Sequence, residues 1–516
     1  MKKTNLDESI EKFWKRESFG TGDEACCSDD ATCVDFFNAT TRYNEREKRY
    51  YTRLPFKVEK SCLPDNFNHS LACLRSNWKA LTKKSEYLDR YNDIIQDQLQ
   101  KGIIGELPPS QTTQPGTFLS HHAVINESKK QTKIRLVYNG SARVRNAPSL
   151  NDCLYRGPVL LPDLSGILLK IRLTLILLTG DIEKAYLMVG LQECDRPSTK
   201  FLCNNSFTFN GDSNTLITRN FGILLCDNIF LSASSVDEAM QKYIETKKLF
   251  TLAGMNVREW TSSYSQINAT LQPLEHAPVD RITKLLGLTC NIVADTLSNR
   301  VPFLQHQMDH PTKRSVLKII ASIYDSLGFI APVTVVAKMF LQSLWKKQLQ
   351  CYERLPEDKQ KKWTSITSSW TQPYLELPRR IVSSEFDWQS SQIHIFTDWS
   401  CQAYCEVAYL RLATSRQVET KLLMGRTRLW PLHNTVTIPR FELSVLTLGS
   451  SLMRHLTHEL KITFHQLYGQ TLKLLFSGQR RHQASQYTYK TMSKTSKRTL
   501  PMRSSGMYPR ITTPLI

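Results

Sequence analysis

Two aspartates are candidates for phosphoryl-transfer chemistry because each follows a predicted strand. Asp181 comes after the apolar run at residues 174–179, and Asp398 after the alternating segment at residues 392–397. Two-metal phosphoryl transfer needs carboxylates on rigid backbone, since they must hold two divalent ions about 4 Å apart. Each aspartate also has an ordinary explanation, as a helix cap for Asp181 and as a turn residue for Asp398. Neither is by itself evidence of metal-dependent chemistry.

The segments around these aspartates alternate between short strands and amphipathic helices, which predicts an α+β fold. Further strands are predicted at residues 122–125, 133–138 and 200–203, and residues 406–410 are the predicted hairpin partner of residues 392–397. A helix is predicted from Ser85 to before Gly102, with Leu88, Tyr91, Ile95 and Leu99 on one face. Other helices are predicted at residues 235–250, 313–324, 335–345 and 441–456.

The composition favours a polyanionic partner. Lys and Arg number 67 against 47 Asp and Glu, which gives a net charge of +20. The 13 cysteines have no regular spacing and complete no zinc site, so we expect reduced thiols. No apolar run reaches membrane-spanning length, and the first residues lack the apolar core of a signal peptide. We therefore expect an intracellular protein with no membrane partner.

Several short motifs follow one another in a specific order. They read IRLVYNGSA at residues 134–142, PSLND at 148–152, LPDL at 161–164 and DIEKAY at 181–186. This order resembles the reverse transcriptase of Bel/Pao retrotransposons, whose pattern runs RxVxDxSA, PSLND, LLPDL and DIEKAF. The resemblance covers roughly residues 10–468, with further matches at residues 13–14, 53–55, 286–288, 323–329 and 438–443.

The resemblance implies roles for four residues of a polymerase site. Asp181 corresponds to the first metal-binding aspartate of the palm, and Asp227 to the second, in the position of the YVDD or YVDN motif. Tyr186 corresponds to the steric gate that favours deoxynucleotides. Arg135 corresponds to the fingers arginine that contacts the incoming triphosphate, where a bidentate guanidinium suits phosphate oxygens. The tyrosine and valine expected before Asp227 are replaced by leucine and cysteine.

A second site is implied in the last third of the chain. The segment IFTD at residues 395–398 resembles the family's F-[TS]-D-A-S, and PRFEL at residues 439–443 resembles PRLEL. Asp398 and Glu442 would then be the strand and helix carboxylates of a ribonuclease H-like site, with Trp399 in place of a small residue. The implied cofactor of both sites is Mg²⁺, and the implied partners are RNA/DNA template–primer and RNA–DNA hybrid. The implied location is the cytoplasm or element-encoded particles, and the oligomeric state is not implied.

The chain departs from the family pattern within the palm. Gly222 corresponds to the glycine of RVPFG, and the family places several dozen residues between it and the second aspartate. Here Gly222 and Asp227 are five positions apart. A three-turn helix alone uses about 11 residues, so we expect the palm to lack the element that orders the substrate.

The tail at residues 469–516 is predicted to be a disordered frameshift product. It holds nine Lys and Arg and no acidic residue. The family continues with a strand reading roughly LWTDS and later with YVPxxxNPAD, and neither occurs here. Codons can be chosen for residues 469–478 and 507–516 so that the frame one base earlier reads WTDS and NPAD.

These inferences predict five regions. Residues 1–84 are a Pol linker, and residues 85–270 are the fingers and palm of a reverse transcriptase, with an internal deletion near residues 222–227. Residues 271–385 are a helical connection, residues 386–468 are the N-terminal half of a ribonuclease H-like domain, and residues 469–516 are the tail. The expected fold is α+β, with an incomplete palm-and-fingers region and a partial ribonuclease H-like fold.

The predicted function is that of a retrotransposon Pol fragment. By descent it is an RNA-directed DNA polymerase with ribonuclease H, catalytically inactive in this form. One alternative is a nucleic-acid-binding protein retained after catalysis was lost. Another is a retrotransposon aspartic peptidase, although the D-[ST]-G motif is absent, since Asp295-Thr296 and Asp325-Ser326 are both followed by leucine.

Overall fold

The computed structural model describes a set of ranges that together span most of the chain before residue 461. These are residues 28–83, 85–106, 117–125, 134–158, 163–183, 188–204, 214–219, 228–271, 283–292, 294–301, 310–347, 349–371, 374–382, 391–400, 402–413, 418–430 and 438–460. The predictions for Asp227, Tyr186, residues 10–14 and the tail from residue 469 lie outside the described residues.

The described helices and strands are mixed along the chain, which confirms the predicted α+β character. The helices are α1 Ser28–Thr40, α2 Phe67–Leu81, α3 Ser85–Gln100, α4 Leu150–Cys153, α5 Leu164–Leu173, α6 Val236–Leu252, α7 Ser265–Thr270, α8 Lys313–Ala321, α9 Ala331–Lys346, α10 Glu357–Ser368 and α11 Ile438–Leu460. The strands are β1 Arg42–Asn44, β2 Arg49–Thr52, β3 Ile104–Glu106, β4 Ser120–Ile125, β5 Ile134–Asn139, β6 Ile176–Ile182, β7 Gly190–Leu191, β8 Lys200–Asn204, β9 Asn214–Arg219, β10 Asn228–Ala233, β11 Val257–Ser262, β12 Thr283–Leu285, β13 Leu288–Asn291, β14 Thr296–Arg300, β15 Tyr374–Pro378, β16 Gln392–Trp399, β17 Ala403–Ala413 and β18 Val418–Leu429.

The N-terminal part is built from α2, α3 and short antiparallel sheets. In α3 the residues Leu88, Tyr91 and Ile95 are buried, as the periodicity predicted, and Gly102 follows with a φ of +61°. The predicted strands at residues 122–125 and 133–138 form the hairpin β4–β5. The predicted strand at residues 200–203 is β8, which pairs with β9 in the sheet β3-β9-β8.

The apolar run before Asp181 forms the centre of a three-stranded antiparallel sheet with the order β10-β6-β11, called here the β6 sheet. Nearly every residue of β6 is buried, as expected for a strand covered on both faces. Helix α6 packs in a cluster with Leu178 and Ile182, and α5 packs in another with Leu177. Because side chains alternate along a strand, the two helices cover opposite faces.

A second antiparallel sheet, β16-β17-β18, follows later in the chain and is called here the β16 sheet. Its first two strands confirm the predicted hairpin. Helix α11 crosses one face so closely that a Cβ at Gly449 would lie 2.9 Å from Cγ2 of Thr397. Leu452 and Leu456 of α11 are fully buried in the same cluster as Ile393 and Ile395 of β16.

Between the two sheets in sequence lies a three-helix unit, residues 310–371, formed by α8, α9 and α10. It has its own apolar core, which includes Val316, Phe340 and Trp363. The predicted helices at residues 313–324 and 335–345 are both observed. The second begins earlier, at Ala331, because Pro332 is well suited to the first turn of a helix.

The two sheets share one apolar cluster rather than having separate cores. It joins residues of α5 and β6 to residues of β13, β14, β16, β17, β18 and α11. Arg379 ties these parts together although its side chain is only 1% exposed. Its guanidinium donates to the carbonyl oxygens of Ile171 (2.7 Å) and Thr174 (2.8 Å) and forms an ion pair with Asp295. Among the described residues, no helix is long and apolar enough to cross a membrane.

Candidate functional site

Asp181 lies inside β6 rather than after it, which corrects the predicted strand end. The strand continues to Ile182 because β10 pairs along one edge and β11 along the other. Asp181 is half-buried, and its cross-strand neighbours are Asn228 of β10 and Arg258 of β11. Directly opposite residues in an antiparallel pair have Cβ atoms about 5 Å apart.

The pairing of β6 with β10 brings Asp181 beside the residue that follows Asp227. Asp227 itself lies outside the described residues, as does Tyr186. Asn228 is the first residue of β10, so the chain enters this strand at the position opposite Asp181. Strand pairing therefore brings Asp181 and Asn228, the residue that follows Asp227 in sequence, to one end of one sheet.

Arg135 belongs to a different sheet. It lies on β5, exposed to solvent, and its register partner is Val124 of β4. No β-pairing of the described strands joins the β4–β5 hairpin to the β6 sheet. The structure thus does not bring Arg135 and Asp181 together through strand pairing.

The connection into β10 is short. Strand β9 ends at Arg219, and it pairs with β3 and β8 rather than with β10. Eight residues, 220–227, then lead to the start of β10. In the described part of the β6 sheet, β10 has β6 as its one partner, so its other edge carries no described strand.

A charged group, Glu183, follows Asp181 by two residues, just beyond the end of β6. Glu183 accepts a hydrogen bond from Nδ2 of Asn256 (3.1 Å) and lies 3.8 Å from the guanidinium of Arg258. Arg258 is also the cross-strand partner of Asp181, so both carboxylates lie beside this arginine position. The sequence motif contained Glu183, but only the pairing with β11 reveals Arg258 next to it.

Asp398 is the exposed carboxylate of the β16 sheet. It is the seventh residue of the eight-residue strand β16 and pairs with Cys405 of β17, so the predicted strand end at residue 397 is also too early. Its Oδ1 accepts a hydrogen bond from the backbone N–H of Trp399 (2.8 Å). Burial raises the pKa of the Cys405 thiol.

The alternation of side chains separates Asp398 from the helix that carries Glu442. Thr397 faces α11, as its proximity to Gly449 shows, and Asp398 therefore belongs to the other face of the sheet. Glu442 is the fifth residue of α11, and the placement of its side chain is not described. Position 442 precedes Gly449 by seven residues, which is about two turns and about 10 Å along the axis, on the same helix face. The structure packs the two predicted elements together but does not put both positions on one surface.

A buried carboxylate that the motifs did not reveal lies between the strand and the helix. Glu406 of β17 is the cross-strand partner of Thr397 and of Arg426, and its side chain is 5% exposed. Burial raises the pKa of Glu406, while Arg426, 3.9 Å away, acts in the opposite direction. Burial also lowers the pKa of Arg426. The inward positions 408, 410 and 412 of β17 are apolar, so this alternation could have predicted that Glu406 points inward.

The two Asp-Ser/Thr sequences considered for a peptidase have structural partners. Asp295 is the ion-pair partner of the buried Arg379. Asp325 accepts the backbone N–H groups of Phe329 (2.9 Å) and Ile330 (3.0 Å) just before α9. Burial raises the pKa of Asp325, and these hydrogen bonds oppose that rise.

Within the described ranges, no group of three or more His, Cys, Asp or Glu side chains is arranged to hold a metal ion. Asp398 has no second described carboxylate on its face of the sheet at this end, since Glu406 and Thr397 belong to the other face. The described donors alone therefore do not fit a two-metal site.

Comparison with protein families finds a match over part of the chain. Residues 312–471 match the family model described as Pao retrotransposon-like RNaseH-like domain. The match begins at Thr312, the N-cap of α8, and includes the three-helix unit, the β16 sheet and α11. A search of curated proteins finds no match. The match supports a region derived from a Pao retrotransposon Pol protein, with a ribonuclease H-like domain and, by descent, a nucleic-acid partner.

Proposed function

We propose that the chain is a fragment of a Pol protein that is by descent an RNA-directed DNA polymerase with ribonuclease H, and that it is no longer catalytic in this form. The family match supports the Pol origin. The polymerase part rests on the ordered motifs and on the β6 sheet, and the loss of activity rests on the connection into β10.

The pairing of β6 with β10 is the observation that carries the polymerase assignment. A palm needs two aspartates at adjacent strands, because both must reach the same pair of metal ions. Asp181 is opposite Asn228, the residue after Asp227. Helix α6 covers the face of β6 that carries Leu178 and Ile182, which is the face away from Asp181.

The eight residues between β9 and β10 support the proposed loss of activity. They are too few for a three-turn helix of about 11 residues followed by a strand. Without that element, the template and nucleotide lose their positioning. Positioning contributes about 7–11 kcal/mol in well-oriented reactions, or five to eight orders of magnitude in rate.

The test is primer extension by the full chain on poly(rA) with an oligo(dT) primer, in Mg²⁺ and separately in Mn²⁺. We expect no extension above that of an Asp181→Ala variant, which serves as the matched background. Extension by the unmodified chain that disappears in Asp181→Ala would refute the proposed inactivity while supporting the polymerase descent.

The ribonuclease H-like part is proposed to be inactive for a different reason. A two-metal site of this type would use Mg²⁺ to activate water and stabilise the leaving oxygen. Here Asp398 lies on the sheet face away from α11, and the described donors do not complete the site. We expect no cleavage of an RNA–DNA hybrid above the level of Asp398→Asn and Glu442→Gln variants. Cleavage lost in both variants would show that the two carboxylates act together.

Retained nucleic-acid binding is the second candidate function. The basic composition of the three-helix unit favours it, since this unit carries ten Lys and Arg against four Asp and Glu. Binding of template–primer without extension would support this function. Absence of binding at low salt would exclude it.

A further inference from the structure

An exposed tyrosine lies beside an arginine on the three-helix unit, and neither residue belongs to the carboxylate sites described above. Tyr352 is 73% exposed, more than any other large apolar side chain in the described residues. Arg314 of α8 holds the ring from one side, with its guanidinium carbon 5.1 Å from the ring centre. Nη1 of Arg314 also donates to the Tyr352 hydroxyl (2.6 Å).

The loop that carries Tyr352 is fixed against the start of α8 by backbone contacts. The N–H of Arg314 donates to the carbonyl of Cys351 (3.0 Å), and that of Leu355 donates to the carbonyl of Pro311 (2.9 Å). Thr312 and Arg354 form an isolated β-bridge. Tyr352 is therefore presented on an anchored loop.

These contacts bury little of the Tyr352 ring. A nearby pair shows the contrast, since Lys313 lies over the partly buried Trp345 at 3.9 Å and donates to the carbonyl of Leu349 (3.1 Å). Tyr352, in comparison, leaves most of its ring in water. Arg314 is in the first turn of α8, where the helix dipole disfavours a cation and no acidic residue offsets it.

Lys318 extends the positive surface beyond Arg314. It is four residues further along α8, on the same face and about 6 Å along the axis, and both side chains are exposed. Arg354 follows Tyr352 by two residues and is also exposed. Glu353 is the one acidic residue between Cys351 and Leu355. We call Arg314, Lys318, Tyr352 and Arg354 the α8 patch.

We propose that the α8 patch binds single-stranded nucleic acid. An exposed aromatic ring stacks on an unpaired base, and the flanking cations contact the backbone phosphates on either side. A duplex would use the cations but not the ring, because its bases are already stacked on one another. The patch does not depend on the carboxylate sites, so extension and cleavage assays can fail or succeed without affecting it.

The test uses the full chain and fluorescent oligothymidylate and oligouridylate, with binding measured by anisotropy at nanomolar protein. Tyr352→Ala should weaken binding about tenfold, within the range found for losing one stacked base, and Tyr352→Phe should keep it within about threefold. Tyr374→Ala is the matched control, since Tyr374 is also an exposed tyrosine, at 53%. Equal affinity for the two oligonucleotides indicates recognition of the base ring and the phosphate alone, whereas a preference for one indicates recognition of the sugar or of the thymine methyl group as well.

Charge is tested separately through the salt dependence. The double variant Arg314→Gln/Lys318→Gln should lower the slope of log affinity against log salt by about 1.4, or about 0.7 for each lost phosphate contact. Lys361→Gln/Lys362→Gln removes the same charge from α10 and should leave the slope unchanged. Glu353→Gln should strengthen binding.

Two results would overturn the proposal. One is that Tyr352→Ala binds like the unmodified chain while Arg314→Gln/Lys318→Gln binds more weakly, which would indicate duplex or non-specific phosphate contact. The other is that the α10 control lowers the slope as much as the α8 variant does. Circular dichroism of each variant, matched to the unmodified chain, confirms that the exposed substitutions leave the fold intact.

Discussion

Adding one methyl group at Gly449 tests the packing between α11 and the β16 sheet. A Cβ at this position would lie 2.9 Å from Cγ2 of Thr397 and 3.8 Å from Cγ2 of Ile395. The first distance is too short for two carbons in contact, whose optimum is about 3.5–4.0 Å. The close approach therefore depends on the absence of a side chain at residue 449.

Two opposing terms determine the effect of Gly449→Ala. Alanine favours the helix over glycine by about 1 kcal/mol, whereas overpacking costs about 1–3 kcal/mol. We expect a net loss of about 1 kcal/mol in the stability of α11. Thr397→Ser removes the methyl group that the new Cβ would meet. In the Thr397→Ser background, Gly449→Ala should instead stabilise α11 by up to about 1 kcal/mol. The coupling free energy between the two substitutions is therefore about 2 kcal/mol.

The assay is native-state hydrogen exchange of the α11 amides, because this method measures local opening without requiring a cooperative melt. The unmodified chain, the two single variants and the double variant together form a double-mutant cycle. Stabilisation by Gly449→Ala alone, or additive effects of the two substitutions, would refute the close contact of α11 with β16. The assignment of Thr397 to the sheet face covered by α11 would then also need revision.

Four other expectations follow from the structure. Arg379→Met should lower the free energy of opening of β6, measured by hydrogen exchange, by about 3–5 kcal/mol, because Asp295 and several carbonyl oxygens lose their partner. Arg380→Met, at the exposed neighbouring position, should change the same free energy by under about 0.5 kcal/mol. Burial raises the pKa of Asp195, but hydrogen bonds from Lys60 and from the backbone outweigh burial, so the pKa is lowered. The ionised Asp195 therefore stabilises the fold at neutral pH, and this stabilisation is lost as the pH falls below about 4. Asp195→Asn should flatten that part of a pH–stability curve. The full chain should aggregate or melt broadly, since β10 has an edge without a described partner, and a sharp two-state melt of a monomer would contradict this. Sequencing the gene beyond codon 468 should reveal TDS and NPAD in the neighbouring frame, and their absence would exclude a frameshift.

Periodicity predicted β6, β16 and β17 and the helices α6 and α11 near the candidate sites, but it did not predict the strands β10, β11 and β18. Helix α3 and the hairpin β16–β17 appear where the pattern of apolar residues placed them, because local burial follows a period of 3.6 in helices and two in strands. The ends of β6 and β16 were predicted too early. A strand ends where its partners end, and the partners of β6 come from residues 228–233 and 257–262.

The sequence alone determined which carboxylates are candidates, in what order they occur, and that the segment between Gly222 and Asp227 is too short for a helix and a strand. Only the tertiary structure decided which of them share a surface. Asp181 and the start of β10 meet through strand pairing, whereas Asp398 and α11 occupy different faces of the β16 sheet. The buried Glu406 and Arg379 were also beyond the motifs, because a charge can be buried only where distant segments supply its partners. For Arg379 those partners are Asp295 and the end of α5, which lie 84 and more than 200 residues away in the chain.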